Sequence, residues 1–402
     1  MREMRTREHT VREVFLAFLK LGVTSFGGPI AHLGYFREEL VVKRSWVSES
    51  RYAELVALCQ VLPGPASSQV GFALGLQRAG YWGGLAAWTA FTLPSAILLV
   101  LFAWGAVALD NPIGAGLLLG LKSVAVAVVA HAVLGMARTL TPDFRRMGIA
   151  VTAIVLVLVV PGTWGQLAAI ALGLLAGTIW CRGLFTPQAS SPSLGVTRRV
   201  GIAALSLGVM LFAGLAVAAA TTQILWVQVA DAFYRAGALV FGGGHVLLPM
   251  LLGDPTIAGH VAPEQLLAGY GAAQAVPGPL FTFAAFVGFE MAPGPEGWAL
   301  ALVALVAVFL PGMLLLVAAL PLWHRLQASP RAGAALLGAN AAVVGILAAA
   351  LYTPIITSTI TGLVPLLIAL GGLLLLQFAR VPAWGVVVLG ALVGCLTASV
   401  VA

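Results

Sequence analysis

Apolar residues run along this chain in long blocks, separated by short polar or proline-rich stretches. Tyr81–Leu109, Gly148–Val160, Leu167–Trp180, Val200–Ala220, Trp298–Leu322 and Val364–Leu376 are apolar on every face. With their flanks they reach the roughly 20 residues that cross a bilayer as a helix. Two further segments, Val14–Ile30 and Tyr52–Gln77, are interrupted. Thr24-Ser25-Phe26-Gly27-Gly28-Pro29 closes the first, and Pro63-Gly64-Pro65 sits inside the second, between Gln60 and Ser67-Ser68-Gln69. Two prolines around a glycine remove two backbone donors and crowd the preceding turn, so the pattern predicts a broken helix there. Within a membrane, broken backbone is tolerated where it lines a protected cavity or binds something.

The whole pattern then repeats. Phe26-Gly27-Gly28 returns as Phe241-Gly242-Gly243 at an offset of 215 residues, and Pro63-Gly64-Pro65 as Pro277-Gly278-Pro279 at 214. The mid-span prolines Pro94 and Pro311 lie 217 apart, and Val128-Val129 and Val343-Val344 lie 215 apart. Four landmarks on one offset indicate duplication. The expected domains are 1–185 and 223–402, joined through 186–222 by a Pro/Ser-rich linker (Thr186–Arg199) and the span Val200–Ala220.

Charge fixes the environment and suggests the arrangement. The 402 residues are 60% hydrophobic and 9% charged, with mean hydropathy +1.03, far from a soluble domain. The net charge of +7 belongs to loops rather than to a nucleic-acid surface, so no nucleic acid is expected. Arg37–Arg51 holds four cations, while its counterpart Leu252–Glu264 holds none. Arg138–Arg146 holds three, and Tyr352–Thr361 none; the turn at Asp110 has none, where its counterpart has Arg325 and Arg331. Under the positive-inside rule the halves are inverted, and the odd span Val200–Ala220 supplies the flip. The fold class expected is an all-α polytopic membrane protein: two inverted-topology repeats with broken or re-entrant segments, joined by one transmembrane helix. The basic tail and the Arg37–Arg51 loop place the N-terminus in the cytoplasm. Val14–Phe36 and Tyr52–Gln77 then dip in and return, the alternative being that each spans. Cys59, Cys181 and Cys395 have neither metal-ligand nor disulfide spacing. No signal peptide is visible, so the chain is expected to begin at or near Met1.

The candidate chemistry lies at the breaks. Half-helices that start inside a membrane direct unpaired N–H groups into a cavity, which favours an anion. Around the breaks stand Thr24, Ser25, Gly27, Gly28, Gln60, Gly64, Ser67 and Ser68, and in the second copy Gly242, Gly243, Gln274 and Gly278. Such neutral donors suit a tetrahedral oxyanion, although small residues also serve close helix packing. Lys20 and Arg235 are equivalent intramembrane cations, each six residues before the Phe-Gly-Gly. Such a cation costs on the order of 3 kcal/mol and marks a pathway or an ion pair, unless it snorkels. Lys122 and Asn340 are further polar positions within spans. His32, His131 and His245 can carry protons; Glu54, Asp231 and Glu290 are carboxylates that interface water would equally explain. No Walker loop, His-Glu-x-x-His or Gly-x-Ser-x-Gly occurs, so neither an enzyme nor a cofactor is expected.

Phe26-Gly27-Gly28-Pro29 with its basic loop, and Gln60 through Gly64-Pro65, resemble the chromate ion transporter family in its long, two-domain form. Phe241-Gly242-Gly243-Gly244 with Gln274 to Pro279 is similar to that family's second domain. The resemblance implies a secondary transporter that exports chromate across the bacterial inner membrane, with chromate resistance as the outcome and sulfate as a structural mimic. Partners are then the oxyanion and the bilayer, with a homodimer as an allowed assembly. A sulfate importer, a channel for oxyanions and a membrane-embedded enzyme stay open as alternatives. Gly244 replaces the proline found at Pro29, and the second copy lacks the Ser67-Ser68 pair, so unequal contributions from the two halves are expected.

Overall fold

A computed structural model describes residues 10–106, 112–160, 162–184, 196–241, 243–322 and 329–401. The N-terminal tail up to His9, Asp110, most of the Pro/Ser-rich linker, Gly242 and Arg325 lie outside these. Every regular element described is helical. Among the described residues, five helices are long and apolar enough to cross a membrane.

The first half runs α1 (Val11–Thr24), α2 (Gly28–Phe36, continued by a π-helical turn to Lys43), α3 (Glu49–Val61), α4 (Ala66–Ala106), α5 (Pro112–Leu140), α6 (Phe144–Val159) and α7 (Thr163–Trp180). After α8 (Arg198–Thr221) the series repeats: α9 (Leu225–Leu239), α10 (Leu247–Leu252), α11 (Pro255–Ala258), α12 (Pro263–Ala275), α13 (Phe283–Glu290), α14 (Pro295–Ala319), α15 (Pro330–Ala350), α16 (Leu363–Gln377) and α17 (Ala383–Val401). Side-chain oxygens of Thr10, Ser48, Asp143, Thr197 and Ser329 cap helix N-termini and satisfy amides that the helix cannot. The length of α4 conceals a break: Ala79 and Gly80 leave helical geometry, so Ala66–Arg78 is the counterpart of α13 and the rest is the counterpart of α14. Pro94 and Pro311, by contrast, sit within continuous helix.

The interrupted segments return to the end from which they started. Arg78, at the close of the first part of α4, pairs with Glu13 in the first turn of α1 (3.1 Å). The same Arg78 stacks over Trp46 at 4.9 Å, with Arg44 on that ring at 5.8 Å. Residues 13, 46 and 78 therefore meet, and both excursions between them are hairpins. At 14 and 13 residues, α1 and α3 rise about 21 and 20 Å, short of a hydrocarbon core of about 30 Å. The second half closes in the same manner: Trp226 at the start of α9 donates to Glu296 at the start of α14 (3.0 Å).

The halves interlock by exchange. α5 packs along α17, and the equivalent α15 packs along α7. Both contacts depend on glycine. A Cβ at Gly120 would fall 2.2 Å from the Gly390 carbonyl, and one at Gly338 would fall 2.1 Å from the Gly173 carbonyl, so the backbones touch as small-residue membrane interfaces do. In each pair residue numbers run oppositely: Gly116 meets Gly394 while Gly120 meets Gly390, and Gly173 meets Ala342 while Gly177 meets Ala334. Both pairs are antiparallel. The outward surface is itself apolar, with Leu175, Val209, Leu302 and Leu367 all more than half exposed, as lipid-facing helices require.

Candidate functional site at the crossed helix breaks

The two Pro-Gly-Pro breaks meet at the centre and are cross-bonded. The Gly64 N–H donates to the carbonyl of Val240 at the C-terminus of α9 (2.7 Å), and the Gly278 N–H donates to that of Ser25 at the C-terminus of α1 (2.9 Å). Val240 and Ser25 are equivalent at the repeat offset, so this is one contact made twice. Both glycines have positive φ, +110° and +105°, which a β-carbon would strain. Each also lies against the proline-bearing stretch of the opposite half. A Cβ on Gly64 would come 2.9 Å from Gly312 Cα, behind Pro311, and one on Gly278 would come 2.7 Å from Ser95 Oγ, behind Pro94.

The two crossings differ in chemistry. At the Gly278 crossing Ser25, His32, Ser67, Ser68, Thr92 and Ser95 are all buried. The Ser67 hydroxyl lies 3.3 Å from His32 Nδ1, and His32 packs edge-on to Phe91. At the Gly64 crossing the surroundings are Val240 and the paired rings of Phe281 and Phe309, with Gln69 as the polar clamp. Its amide donates to the carbonyls of Pro63 (2.9 Å) and Gly312 (2.8 Å), two acceptors on opposite halves. Most hydroxyls of the first half have apolar counterparts in the second, where the buried Thr282 already donates to the Pro279 carbonyl (2.7 Å), so the site is lopsided within a symmetric frame.

Several buried polar atoms here have no hydrogen-bond partner: Ser25 Oγ, His32 Nε2, Ser68 Oγ, Thr92 Oγ1, Gln69 Oε1 and Gln274 Nε2. Each such atom costs about 1–3 kcal/mol unless something completes it. The hydroxyls and the Gln274 amide can all donate, and when Ser67 donates to His32 Nδ1 the imidazole carries its proton on Nε2. Unspent neutral donors carried by several elements around the breaks are what a partly dehydrated anion needs.

The other expected residues divide. Thr24 is exposed and donates to the Lys20 carbonyl (2.8 Å), while Gln60 is exposed at the end of α3. Gly27 and Gly28 form the positive-φ turn before α2, and Gly243 does so before the second copy's short helices. Lys122 and Asn340 are part-buried on α5 and α15. Gly242 lies outside the described residues. Lys20 and Arg235 are engaged in ion pairs: Lys20 with Glu39 (2.8 Å), Arg235 with Asp231 (2.8 Å) and Asp254 (3.2 Å). Glu39 also holds Arg44 at 2.9 Å. Glu39 and Asp254 are themselves 215 residues apart, so cation and carboxylate were duplicated together. That offset was present in the sequence, but the carboxylates sit in segments otherwise unremarkable. Ser95 and Thr92 were also missed, hidden in a continuous apolar run. Among the described residues no cluster of metal-ligating side chains occurs.

Comparison with known proteins agrees with this architecture. The chromate transporter family profile matches residues 12–179 and again 227–395, one match per repeat. The chain is 31% identical to a probable chromate transport protein of Synechococcus elongatus over 85% of this chain and 84% of that one. It is 29% identical to the chromate transport protein of Pseudomonas aeruginosa, covering 84% of this chain and 79% of that one. The chromate transport protein of Cupriavidus metallidurans is 26% identical, over 96% and 93% respectively. No solved structure matches the chain. Two family matches placed on two interlocked halves, each contributing one break to a shared junction, lead to a single conclusion: the chain belongs to the chromate transporter family.

Proposed function

We propose that this protein exports chromate, a tetrahedral divalent oxyanion, from the bacterial cytoplasm by alternating access, and thereby confers chromate resistance. The observation that carries the reading is the crossed junction: two helix breaks hydrogen-bonded to each other's halves, with buried donors left over on one side. The oxyanion sits against Ser25, Ser67, Ser68 and the amides that follow Pro65, with Gln274 reaching it from the second half. Those groups replace its hydration shell without a fixed counter-charge. Lys20 and Arg235, already paired, shape the field near the pathway rather than bind the anion directly.

In the bacterial inner membrane the N-terminus and the loops 37–51 and 138–146 face the cytoplasm. The antiparallel pairing of α5 with α17 and of α15 with α7 supports opposite orientations for the two halves. Inverted halves hold a site near the midplane and expose it alternately by rocking about the shared junction. An inside-negative potential contributes about 2.3 kcal/mol per charge per 100 mV to expelling an anion, so the charge of the substrate itself drives efflux.

Everted membrane vesicles, whose cytoplasmic face is outward, test the proposal. Labelled chromate added outside is expected to accumulate when an inside-positive potential is imposed, with sulfate as competitor. Vesicles that accumulate no more chromate than vesicles lacking the protein would overturn it.

A further inference from the structure

The start of α6 lies beside the end of α7, since the two helices pack together in opposite directions. At that corner a groove of about 500 Å³ lies between Phe144, Arg145, Gly148, Ile179 and Trp180, all five exposed. The Arg145 guanidinium donates to the Trp180 carbonyl (3.0 Å), and that of Arg182 donates to the Thr178 carbonyl one turn back. Both cations thus complete the C-terminus of α7, where the helix dipole favours them. Capping uses one of the five N–H groups on each guanidinium. Neither cation has a carboxylate partner among the described residues. Asp143 is the acid of this corner, and its oxygens are taken. One accepts from the Arg145 and Arg146 amides (3.1 and 3.0 Å), the other from Arg146 Nε (2.5 Å).

The groove continues into an apolar track. Val151 and Val155 follow Gly148 along α6, Leu175 precedes Ile179 by one turn on α7, and all three are more than half exposed. Residues three and four apart share a helix face, so the cationic end and the apolar flank form one surface. Trp180, at the polar end, is of the residue type enriched where a membrane meets water. A hydrated inorganic anion would meet the cations and leave the track unused. A second protein helix would have to bury guanidinium groups without counter-charge. A molecule with an anionic head and acyl chains fits both parts. The fold does not require this chemistry. The equivalent corner of the second half, between the start of α16 and the end of α17, has no cation in Tyr352–Leu363 or in Trp384–Ala402.

We propose that this groove binds an anionic glycerophospholipid from the leaflet that loop 138–146 faces. The phosphate lies against Arg145, in the field of Arg182, and the acyl chains run along Val151, Val155 and Leu175. Basic pockets between membrane helices hold lipid phosphates by charge at the head and by apolar area along the tail. Gly148 keeps the head position open, since a Cβ there would meet nothing within 4 Å. This ligand site is separate from the junction and does not rest on the transporter reading, so either can fail while the other stands.

Phosphatidylcholine vesicles doped with a phosphatidylglycerol that carries a photoactivatable acyl chain test the site in the full-length protein. After irradiation the label is expected on the α6 and α7 peptides, at least fivefold above that from a phosphatidylcholine bearing the same chain. Unlabelled phosphatidylglycerol is expected to remove the excess, and unlabelled phosphatidylcholine to leave it. Arg145→Gln is expected to lose the excess and Arg145→Lys to keep most of it. Gly148→Leu fills the groove with every charge in place and is expected to lose the excess as well. Thermal unfolding midpoints in pure phosphatidylcholine are the folding control, expected to match the wild type in all three variants. Equal labelling by the two lipids overturns the site, and so does an undiminished excess in a folded Arg145→Gln. Should a variant unfold, the head-group comparison and the competition in the wild type still decide.

Discussion

At the scale of single residues, the informative groups are those whose chemistry is unspent. A buried hydroxyl without a partner weakens the fold, so deleting it should not. Ser25→Ala and Ser68→Ala are therefore expected to leave the thermal unfolding midpoint in detergent unchanged or raised, by up to about 1–3 kcal/mol of relieved desolvation. Both are expected to slow labelled-chromate exchange at least tenfold. Ser95→Ala offers the contrast, since its hydroxyl already donates to the Thr92 carbonyl at 3.0 Å. If the two orphan serines proved dispensable for exchange yet necessary for stability, their role would be packing, and the anion site would have to move elsewhere. Ser25, Ser67 and Ser68 were readable as site candidates from their place beside the breaks. What the sequence could not convey is which hydroxyls are satisfied, because that depends on how elements more than two hundred positions apart are brought together.

At the scale of elements, the duplicated ion pairs join α1 to the turn after α2, and α9 to α11, and they are not equal in strength. Arg235 is mostly enclosed and serves two carboxylates that are 6% and 5% exposed. Arg235→Ala would strand both, a change of about 3–5 kcal/mol, expected as a large fall in unfolding midpoint and in membrane yield. Lys20 is 56% exposed, and its partner Glu39 keeps Arg44. Lys20→Ala is expected to cost no more than about 1 kcal/mol. Equal losses of stability in the two variants would contradict this. A fall in chromate exchange by Lys20→Ala at unchanged stability would return Lys20 to the substrate pathway. The cations were legible as an equivalent pair because a charge inside an apolar block stands out. Their carboxylate partners were not, because Glu39 and Asp254 lie in loops where a charge needs no explanation. The hairpins were legible from proline, glycine and basic residues on both sides of each excursion, whereas the break at Ala79-Gly80 leaves too slight a mark in the sequence.

At the scale of the whole molecule, the repeat offset was enough to anticipate two halves, and the loop charges lead to the expectation that they are opposed, because both are statistical properties of the chain. The exchange of α5 and α15 between halves was not readable, since it depends on which glycines meet across the interface. The two features together make one prediction about orientation in the membrane. The turn between α6 and α7 and the turn between α16 and α17 occupy equivalent places in the two repeats, yet one contains Val160 and the other Arg380, both at the surface. If the halves are opposed, these turns face opposite sides. Val160→Cys is expected to react with a membrane-impermeant maleimide in intact cells, and Arg380→Cys only in everted vesicles. Cys59 and Cys181 are buried, and replacing Cys395 by serine removes the remaining background. Labelling of both positions from the same side would mean that the repeats run alike. The junction would then lose its midplane symmetry, and a rocking motion about the two crossed breaks would no longer carry a site from one face to the other.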